Sequence, residues 1–354
     1  MRVIDRQKPA AEASWAGAGI LPPANSAPQT ALDELAALSM RLHSEWTHRL
    51  RDETGIDNEF RRCGAWYLDV RNDDHETTGA SLSSSPGHSM VRSVELHQVA
   101  ELEPALAPAC REDTVLAAGL ADDEAQVRNP RHLQALLAAC KRRGVKIEAD
   151  VEVTGFWSSA GHIVGAQTSC GPKYAGTFCI TSGAWSGRLL ATIGVSVPVR
   201  PIRGQMILLH NPRPGLNRIV NVGKRYLVPR LDGRVLVGST EEEEGFNKCN
   251  TEEGVAGLAN FAHALVPQWR AAEVERTWAG LRPATADGLP YLGRVPGLEN
   301  AVVAAGHFRS GIYLSPATAV VMSELIRGLR PSIDLSAFGL ERHVSTTLPG
   351  KEHR

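Results

Sequence analysis

The chain has 354 residues and is 43% hydrophobic, enough for one large domain or two interleaved domains with a substantial core. It carries 38 Lys plus Arg against 39 Asp plus Glu, so its net charge of -1 creates no long-range attraction for nucleic acid or an anionic membrane. No apolar run approaches the roughly 20 residues of a membrane span, and the first residues contain no apolar secretion segment. We therefore expect a cytoplasmic protein without nucleic-acid or membrane partners.

In chain order, MRVIDR predicts a strand that ends at an acid, and the glycine-rich segment SWAGAGILPP follows it. Apolar residues from Leu35 to Leu50 recur at three- and four-residue spacing and predict a helix, with Ser26 or Thr30 as its cap. The polar stretch TTGASLSSSPG (77–87) is typical of a solvated loop. Asn129-Pro130 begins a second predicted helix, which runs to Gly144.

Strands are predicted from Val145 onward, up to the segment GRVLVGST. Within this region, ITSGAWSGRLL (180–190) predicts a strand, a glycine turn and a helix, an arrangement that brings backbone N–H groups close to a ligand. The acidic run from Glu241 to Glu244 predicts a solvated loop. A helix from Gly254 to Leu265, strands in AEVERTWAGLRP and AVVAAG, and a closing helix in SPATAVVMSELIRGL complete the prediction.

The six cysteines are scattered along the chain. They form no CxxC pair, and no group of His and Cys has metal-ligand spacing. We therefore expect reduced and mostly buried thiols, and no metal site.

Three blocks of the sequence together resemble the glycine oxidase and D-amino acid oxidase family of FAD enzymes. PIRGQMILL resembles the strand that leads into the substrate domain of that family, and RYLVPR with GRVLVGST resembles its substrate-side hairpin. WAGLRPATADGLPYLG with GHFRSGIYLSPAT resembles its C-terminal signature, although the family commonly has Gly at Ala284 and Asn at Ser310. The resemblance covers nearly the whole chain and is greatest to the glycine oxidases of bacterial thiamine biosynthesis.

The resemblance implies an α/β protein, α+β overall, with two domains. A Rossmann-like FAD-binding domain would consist of residues 1–62, 127–198 and 284–335. A substrate domain with a mostly antiparallel sheet would consist of residues 63–126 and 199–283, and residues 336–354 would form a tail.

In this family a strand, a GxGxxG turn and a helix precede the ribose-binding acid by about 20 to 30 residues. The printed sequence has no such segment, and Gly17–Pro22 does not replace it because a proline stands at the third glycine position. A start codon assigned too late and a real loss of the segment are both compatible with the sequence. In either case we expect the chain as written to bind FAD poorly and to be unstable.

An amino acid substrate presents a carboxylate, which arginine binds through two parallel hydrogen bonds while it stays charged. The resemblance implies that Arg282 binds this carboxylate, that Tyr226 supplies a second donor, and that Arg309 lies near substrate and flavin. The residues alone also permit a structural Arg282 paired with Asp287, a half-buried strand tyrosine at Tyr226, and a ligand-free turn around Arg309.

The resemblance also assigns non-covalent FAD contacts, among which Asp5 would bind the ribose hydroxyls. Without the family match, Asp5 would be a plain turn acid at a strand end. The further implied contacts are Arg6, Ala13, Ser14, Ala18, Gly19, Ile20, Val153, Gly183, Gly306, His307, Phe308, Arg309, Ser310, Gly311 and Ile312. His307 is implied as a loop or flavin contact, and no histidine is assigned as an acid or base.

In the family's chemistry a hydride passes from the substrate α-carbon to FAD, and the imine product hydrolyses to an oxo acid and ammonia. Molecular oxygen then reoxidises the flavin and yields hydrogen peroxide. We therefore expect oxidative deamination of glycine or a similarly small amine, in thiamine thiazole synthesis, by a protein that forms homo-oligomers. D-amino acid or sarcosine oxidases and dehydrogenases share this fold and remain alternatives, and a non-catalytic binding remnant is the alternative from another class.

Overall fold

The computed structural model of the chain describes residues 1–71 and 91–343, so the predicted loop at 77–87 lies outside the described residues. The helices are α1 (Ala13–Ala16), α2 (Ala31–Thr54), α3 (Leu96–Leu102), α4 (Ala107–Arg111), α5 (Asn129–Arg142), α6 (Ser186–Ala191), α7 (Glu252–Leu265) and α8 (Gly311–Ile326). The first nine strands are β1 (Arg2–Ile4), β2 (Ile20–Leu21), β3 (Arg61–Arg62), β4 (Ala65–Val70), β5 (Arg92–Val94), β6 (Val115–Ala121), β7 (Ala125–Gln126), β8 (Lys146–Glu148) and β9 (Val153–Ser159). The remaining strands are β10 (His162–Thr168), β11 (Phe178–Ile180), β12 (Arg200–Leu209), β13 (Ile219–Val222), β14 (Arg225–Pro229), β15 (Val235–Gly238), β16 (Val274–Ala284), β17 (Tyr291–Arg294) and β18 (Ala301–Ala305).

The largest sheet has eight strands in the order β16-β12-β15-β14-β13-β4-β6-β5. Among its pairs only β13 with β4 is parallel, which confirms the predicted mostly antiparallel sheet. All eight strands come from residues 65–121 and 200–284. The division of the chain into two domains with the boundaries given above stays a prediction.

The two faces of this sheet have different partners because successive strand residues point to opposite sides. On one face, Trp66, Leu227 and Val237 belong to an apolar cluster that also contains side chains of α3, α4 and α7. On the other face, Met206 and Tyr226 pack with Ala18, in the segment that follows α1. The second face, called the inner face below, therefore lies against the glycine-rich segment near the N-terminus.

Two smaller sheets each contain a parallel pair of strands. β1 pairs in parallel with β8, and β11 pairs in parallel with β18, which carries β17 on its other side. Arg6, which follows β1, stacks 3.7 Å from the ring centroid of Trp185, which follows β11. The carboxyl ends of β1 and β11 are therefore neighbours, and such an edge is where α/β sheets bind ligands. The predicted α/β class is confirmed.

Both long predicted helices are confirmed, and their ends follow local signals. Thr30, rather than Ser26, caps α2: its Oγ accepts the Asp33 N–H, and the Asp33 carboxylate accepts the Thr30 N–H. Helix α5 has Pro130 in its first turn, and Gly144 adopts a left-handed φ of 70° directly after it. None of the helices in the described part of the chain is long and apolar enough to cross a bilayer.

Two local predictions are only partly right. The run Glu241 to Glu244 is a loop in which Glu243 and Glu244 are exposed, but Glu241 pairs with Lys224 at 2.8 Å and Glu242 forms an ion pair with buried Arg203. All six cysteines are free, but only Cys110 is buried, while Cys170, Cys179 and Cys249 are exposed. Cys170 lies in a turn, Cys179 in the edge strand β11 and Cys249 in an irregular segment, positions that a composition-based argument does not resolve.

Candidate active site

Arg282 lies on β16 and directs its guanidinium across the inner face of the sheet. Nη1 donates to the carbonyl oxygen of Thr240 at 3.1 Å, and Nη2 donates to Oγ of Ser239 at 2.5 Å. The side chain crosses Gly204 of the neighbouring strand β12, where an added Cβ would lie 2.1 Å from Nη1. Gly204 therefore provides the space that the guanidinium fills.

The alternative that Arg282 is a structural partner of Asp287 is wrong. Asp287 Oδ2 instead accepts Nε of Arg342 at 2.7 Å. Within residues 1–71 and 91–343, no carboxylate forms an ion pair with Arg282, which is only half-buried. Its positive charge is thus left without a described counter-ion, as expected for a group that binds an anionic ligand.

Tyr226 is 8% exposed and lies on β14, two strands away from β12. Its hydroxyl lies 3.4 Å from Sδ of Met206, a weak acceptor. Its ring packs on Gly238 of β15, and Ser239, which follows Gly238, accepts a hydrogen bond from Arg282. Arg282 and Tyr226 therefore approach the same end of β15 from opposite sides, Tyr226 from the adjacent strand β14 and Arg282 from β16, across β12.

Tyr226 belongs to a row of residues that are paired across six adjacent strands. The row runs Tyr67, Asn221, Tyr226, Gly238, Met206 and Trp278. Its side chains share the inner face, whereas Trp66 and Ile207 next to them belong to the cluster on the opposite face. This row places the aromatic side chains of Tyr67, Tyr226 and Trp278 on the inner face.

Arg309 is exposed and belongs to the turn that precedes α8. Its side chain contacts the turn between β13 and β14. Its Nη2 donates to the carbonyl oxygen of Lys224 at 3.2 Å. Lys224 precedes Tyr226 by two residues in the chain, so the structure brings Arg309 to the strand that carries Tyr226. Arg309 and Tyr226 thus reach the site from separate parts of the sequence.

The segment from Gly306 to Ile312 connects β18 to α8. The structure corrects two expectations here: Gly311 is the first residue of α8 rather than part of a loop, and α8 begins four residues before the predicted helix. Phe308–Ser310 forms a 3-10 turn in which Phe308 has a left-handed φ of 48°. Ser310 makes no side-chain cap, which leaves backbone N–H groups of the first turn of α8 available to a ligand.

Buried side chains support the first turn of α8 from behind. Nε2 of His43 lies 3.0 Å from the carbonyl oxygen of Ile312 and 3.1 Å from that of Tyr313, and Ser39 Oγ donates to the Tyr313 carbonyl at 2.6 Å. His307 Nε2 lies 3.1 Å from Oγ1 of Thr318, and burial lowers the pKa of His307 to about 4. A neutral His307 agrees with a contact role and not with a proton carrier at neutral pH.

The segment from Ala13 to Ile20 is held at three points against other elements. Asn129 Nδ2 donates to the carbonyl oxygen of Ser14 at 2.7 Å, and Arg230 Nη2 donates to that of Ala18 at 2.7 Å. Gly19 has a left-handed φ of 72°, and Ile20 then pairs with Gln126 as part of β2. The predicted contact residues Ala13, Ser14, Ala18, Gly19 and Ile20 are thus ordered next to the inner face.

Asp5, Arg6, Val153 and Gly183 lie around the neighbouring ends of β1 and β11. Asp5 follows β1 directly, and its Oδ1 accepts the backbone N–H of Gln7 at 3.0 Å. Arg6 pairs with Glu12 at 2.7 Å and stacks on Trp185, two residues after Gly183. Val153 is the first residue of β9 and follows Val151, whose N–H donates to the carbonyl oxygen of Asp5 at 2.9 Å.

These groups fit a flavin adenine dinucleotide by their chemistry. Oδ2 of Asp5 accepts no hydrogen bond from a described residue and is available to ribose hydroxyls. Gly183 has a left-handed φ of 54°, and no atom lies within 4 Å of where its Cβ would be, so a ligand has room beside this backbone. The uncapped start of α8 offers N–H donors to electronegative atoms of a ring. The assignment of individual contacts stays a prediction.

Three residues that the sequence did not single out also belong to this region. Glu124 is fully buried beside Tyr67 and Asn221, Arg230 is buried under the Ala18 segment, and Gly204 makes room for Arg282. Arg230 stands in the RYLVPR block and Gly204 in PIRGQMILL, so their presence in those blocks was the available signal. Glu124 had no such signal, because its partners are 57 and 97 residues away in the chain.

Comparison with known proteins agrees with this description. The family model of the FAD dependent oxidoreductases, DAO, matches residues 1–325. The glycine oxidase of Pseudomonas putida is 34% identical over 341 residues, which are 96% of this chain and 91% of that protein. The bifunctional protein ThiO/ThiG of a Nostoc species is 32% identical and is matched over 99% of this chain and 53% of its own length.

Among solved structures, the glycine oxidase from Geobacillus kaustophilus superposes with a TM-score of 0.87 at 31% identity, over 97% of this chain and 92% of that one. The predicted resemblance to glycine oxidases is therefore confirmed at the level of sequence and of fold. The chain belongs to the DAO family of FAD dependent oxidoreductases.

Proposed function

We propose that the protein is a cytoplasmic glycine oxidase that converts glycine, oxygen and water to glyoxylate, ammonia and hydrogen peroxide. Its product would enter the thiazole-forming step of thiamine synthesis, a context that the similarity to ThiO/ThiG proteins supports. The observation that carries the proposal is the convergence of Arg282 and Tyr226 on one end of β15. A guanidinium without a described counter-ion and a phenol donor together suit one carboxylate.

Arg282 has the larger role in this proposal. Its bonds to Ser239 and Thr240 use one N–H of each terminal nitrogen and fix the plane of the guanidinium. The remaining N–H groups bind the substrate carboxylate in a defined orientation. The Tyr226 hydroxyl exchanges its weak contact with Met206 for the same carboxylate, and Arg309 binds at the outer side, near Lys224.

The described residues also suggest how FAD is held without a covalent bond. Asp5 binds the ribose, the Ala13–Ile20 segment and Gly183 line the dinucleotide, and the Gly306–Ile312 segment contacts the ring system. When bound, the flavin supplies the two-electron oxidation of the substrate C–H bond. The protein residues orient the α-carbon and exclude water.

A small substrate agrees with the side chains around the carboxylate site. Tyr226, Met206 and Trp278 stand in one row of the inner face, with only Gly238 between the first two. These bulky side chains restrict the room for a substrate side chain next to Arg282. Glycine, which has none, satisfies that restriction.

The test is purification of the full chain, followed by its flavin absorbance spectrum and peroxide release with glycine, sarcosine, D-alanine and D-proline. We expect the chain to be purified with little bound flavin and, with FAD added in excess, to have its highest kcat/KM with glycine. Preference for D-proline or sarcosine would assign the corresponding oxidase instead. Reduction of an artificial acceptor without peroxide would assign a dehydrogenase, and a protein without turnover in excess FAD would assign a binding remnant. Size-exclusion chromatography of the same sample tests the homo-oligomer.

A further inference from the structure

Glu124 is a fully buried acid next to the candidate active site, between β6 and β7. Its Oε2 accepts the hydroxyl of Tyr67 at 2.6 Å, and its Oε1 accepts Nδ2 of Asn221 at 3.2 Å. Its backbone carbonyl accepts the N–H groups of Cys63 and Gly64, which fixes the residue against the start of β4. The carboxyl group therefore has two neutral donors and a defined position.

The surroundings of this carboxyl group contain no described cation that pairs with it. Burial raises the pKa of Glu124 to about 7, and the hydrogen bonds from Tyr67 and Asn221 oppose this shift. A carboxyl group used only to join strands would gain most from a permanent charge and a cationic partner.

The position of Glu124 relative to the substrate residues follows from the register of the sheet. Its partners Tyr67 and Asn221 occupy the two places next to Tyr226 in the row across the inner face. Neighbouring strands are about 4.8 Å apart, so Tyr67 and Tyr226 are separated by roughly 10 Å at their backbones. Tyr67 and Tyr226 share the inner face, so the Tyr67 hydroxyl and a substrate held by Tyr226 and Arg282 would lie on the same side of the sheet.

We propose that Glu124 accepts, through the Tyr67 hydroxyl, the proton that the substrate ammonium group must lose before oxidation. This inference rests on the proposed oxidation of an amino acid. Glu124 acts through Tyr67 and is a positioning and proton-accepting residue rather than a group that touches substrate.

The proton balance is simple. The Tyr67 O–H bond breaks as its proton forms a bond to Glu124 Oε2, and the phenol oxygen takes one proton from the substrate nitrogen. The substrate becomes a neutral amine, Glu124 becomes a neutral acid, and Tyr67 is again a phenol. No oxidant is involved in this step, and the carboxyl group returns its proton to solvent during turnover.

Two tyrosines near Glu124 do not compete with it near neutral pH. Burial and the proximity of Glu124 raise the pKa of Tyr67, so it stays a phenol, and Tyr313 of α8 is affected in the same way. Cys63 lies on the β4 side, where Gln126 donates to its Sγ at 3.3 Å. Asn221, from β13, does not titrate. Glu124 thus differs from both tyrosines, because its charge changes near pH 7.

The test compares the pH dependence of kcat/KM for glycine in the wild type, Glu124→Gln, Tyr67→Phe and Glu103→Gln. We expect the wild-type value to rise through about pH 7, as the acceptor becomes ionised. In Glu124→Gln and Tyr67→Phe the rise of kcat/KM near pH 7 should be absent. At pH 8, kcat/KM should fall by about 100-fold in each variant, a typical loss for proton transfer.

Glu103 provides a matched control. It is also fully buried, but it binds the N–H groups of Asn217 and Arg218 and neighbours Trp66, on the opposite side of the sheet. Glu103→Gln should keep the wild-type pH profile. Tyr67→Phe covers the case in which Glu124→Gln does not fold.

Infrared difference spectroscopy supplies a readout that does not depend on turnover. We expect a carboxylic acid band that titrates near pH 7 in the wild type and in Glu103→Gln but disappears in Glu124→Gln. An unchanged pH profile in Glu124→Gln, or the absence of a titrating band in the wild type, would overturn the proposal. A yellow wild type that shows the band but releases no peroxide from any of the amines contradicts the proposed function instead.

Discussion

The guanidinium of Arg282 lies directly over Gly204, so that a Cβ at residue 204 would come within 2.1 Å of Nη1 and 2.3 Å of Nη2. This contact predicts the effect of Gly204→Ala. The methyl group displaces Arg282 from Ser239 and Thr240, and we expect KM for glycine to rise by at least about tenfold, since charged hydrogen bonds are disturbed. The control is Gly257→Ala in α7, where nothing lies within 4 Å of the added Cβ. Equal KM values for the two variants would contradict the placement of Arg282 in the site.

Arg282→Lys tests the geometry of the same group. Lysine keeps the charge but has no planar fork, so it cannot hold Ser239, Thr240 and a carboxylate at once. We expect KM for glycine to rise by about ten- to a hundredfold, with a flavin spectrum like that of the wild type. Steady-state kinetics measure this change. Arg200→Lys, at an exposed ion pair with Glu243, is the control and should behave as the wild type.

Buried Arg230 connects the core to the segment that contains Ala18, so its replacement should lower the stability of that segment. Its guanidinium is buried and donates to the carbonyl oxygens of Ala18 and Val127 and to Oε1 of Gln126. Arg230→Met leaves these acceptors unpaired, and we expect a loss of about 2–4 kcal/mol in the free energy of unfolding, measured in urea. We also expect faster hydrogen exchange in residues 16–21.

The neighbouring Arg234 is the control for this variant. It is partly exposed and forms ion pairs with Asp232 and Glu275 at the surface. Arg234→Met should change the free energy of unfolding by less than about 1 kcal/mol. If both variants lose the same stability, the buried position of Arg230 has no special role.

Buried histidines predict the acid sensitivity of the protein. Burial lowers the pKa of His132 from 6.5 to about 4, and it also lowers the pKa of the adjacent His43. The unfolded chain therefore binds more protons than the folded one between these values, and stability falls as the pH drops from 6.5 to 4. The pKa shift of His132 alone lowers the free energy of unfolding by roughly 3 kcal/mol over this pH range.

Urea unfolding at pH 7, 6, 5 and 4.5 measures this dependence. His132→Asn should flatten it, whereas His48→Asn, at an exposed position of α2, should not. Glu124 acts in the opposite direction, because its raised pKa adds stability below pH 7. The same pH dependence of stability in the wild type and in His132→Asn would refute the histidine contribution.

The elements that could be predicted were those with local signals. The capping box at Thr30, the proline in the first turn of α5 and the alternating β-strands depend on neighbouring residues, and the structure confirms them. The start of α8 was misplaced because glycine usually favours a turn, whereas Gly311 here begins a helix that packs on α2 and is held by His43 and Ser39. Packing from a distant part of the chain outweighed the local preference.

The sequence by itself determined the family, the cofactor class and the identity of Arg282, Tyr226 and Arg309 as candidates, because these depend on short blocks of residues. Only the tertiary structure decided their partners. Asp287, five residues from Arg282, binds Arg342, while Arg282 binds Ser239 and Thr240 some 40 residues away. Glu124 meets Tyr67 and Asn221 for the same physical reason: strand pairing brings together residues that no local pattern connects.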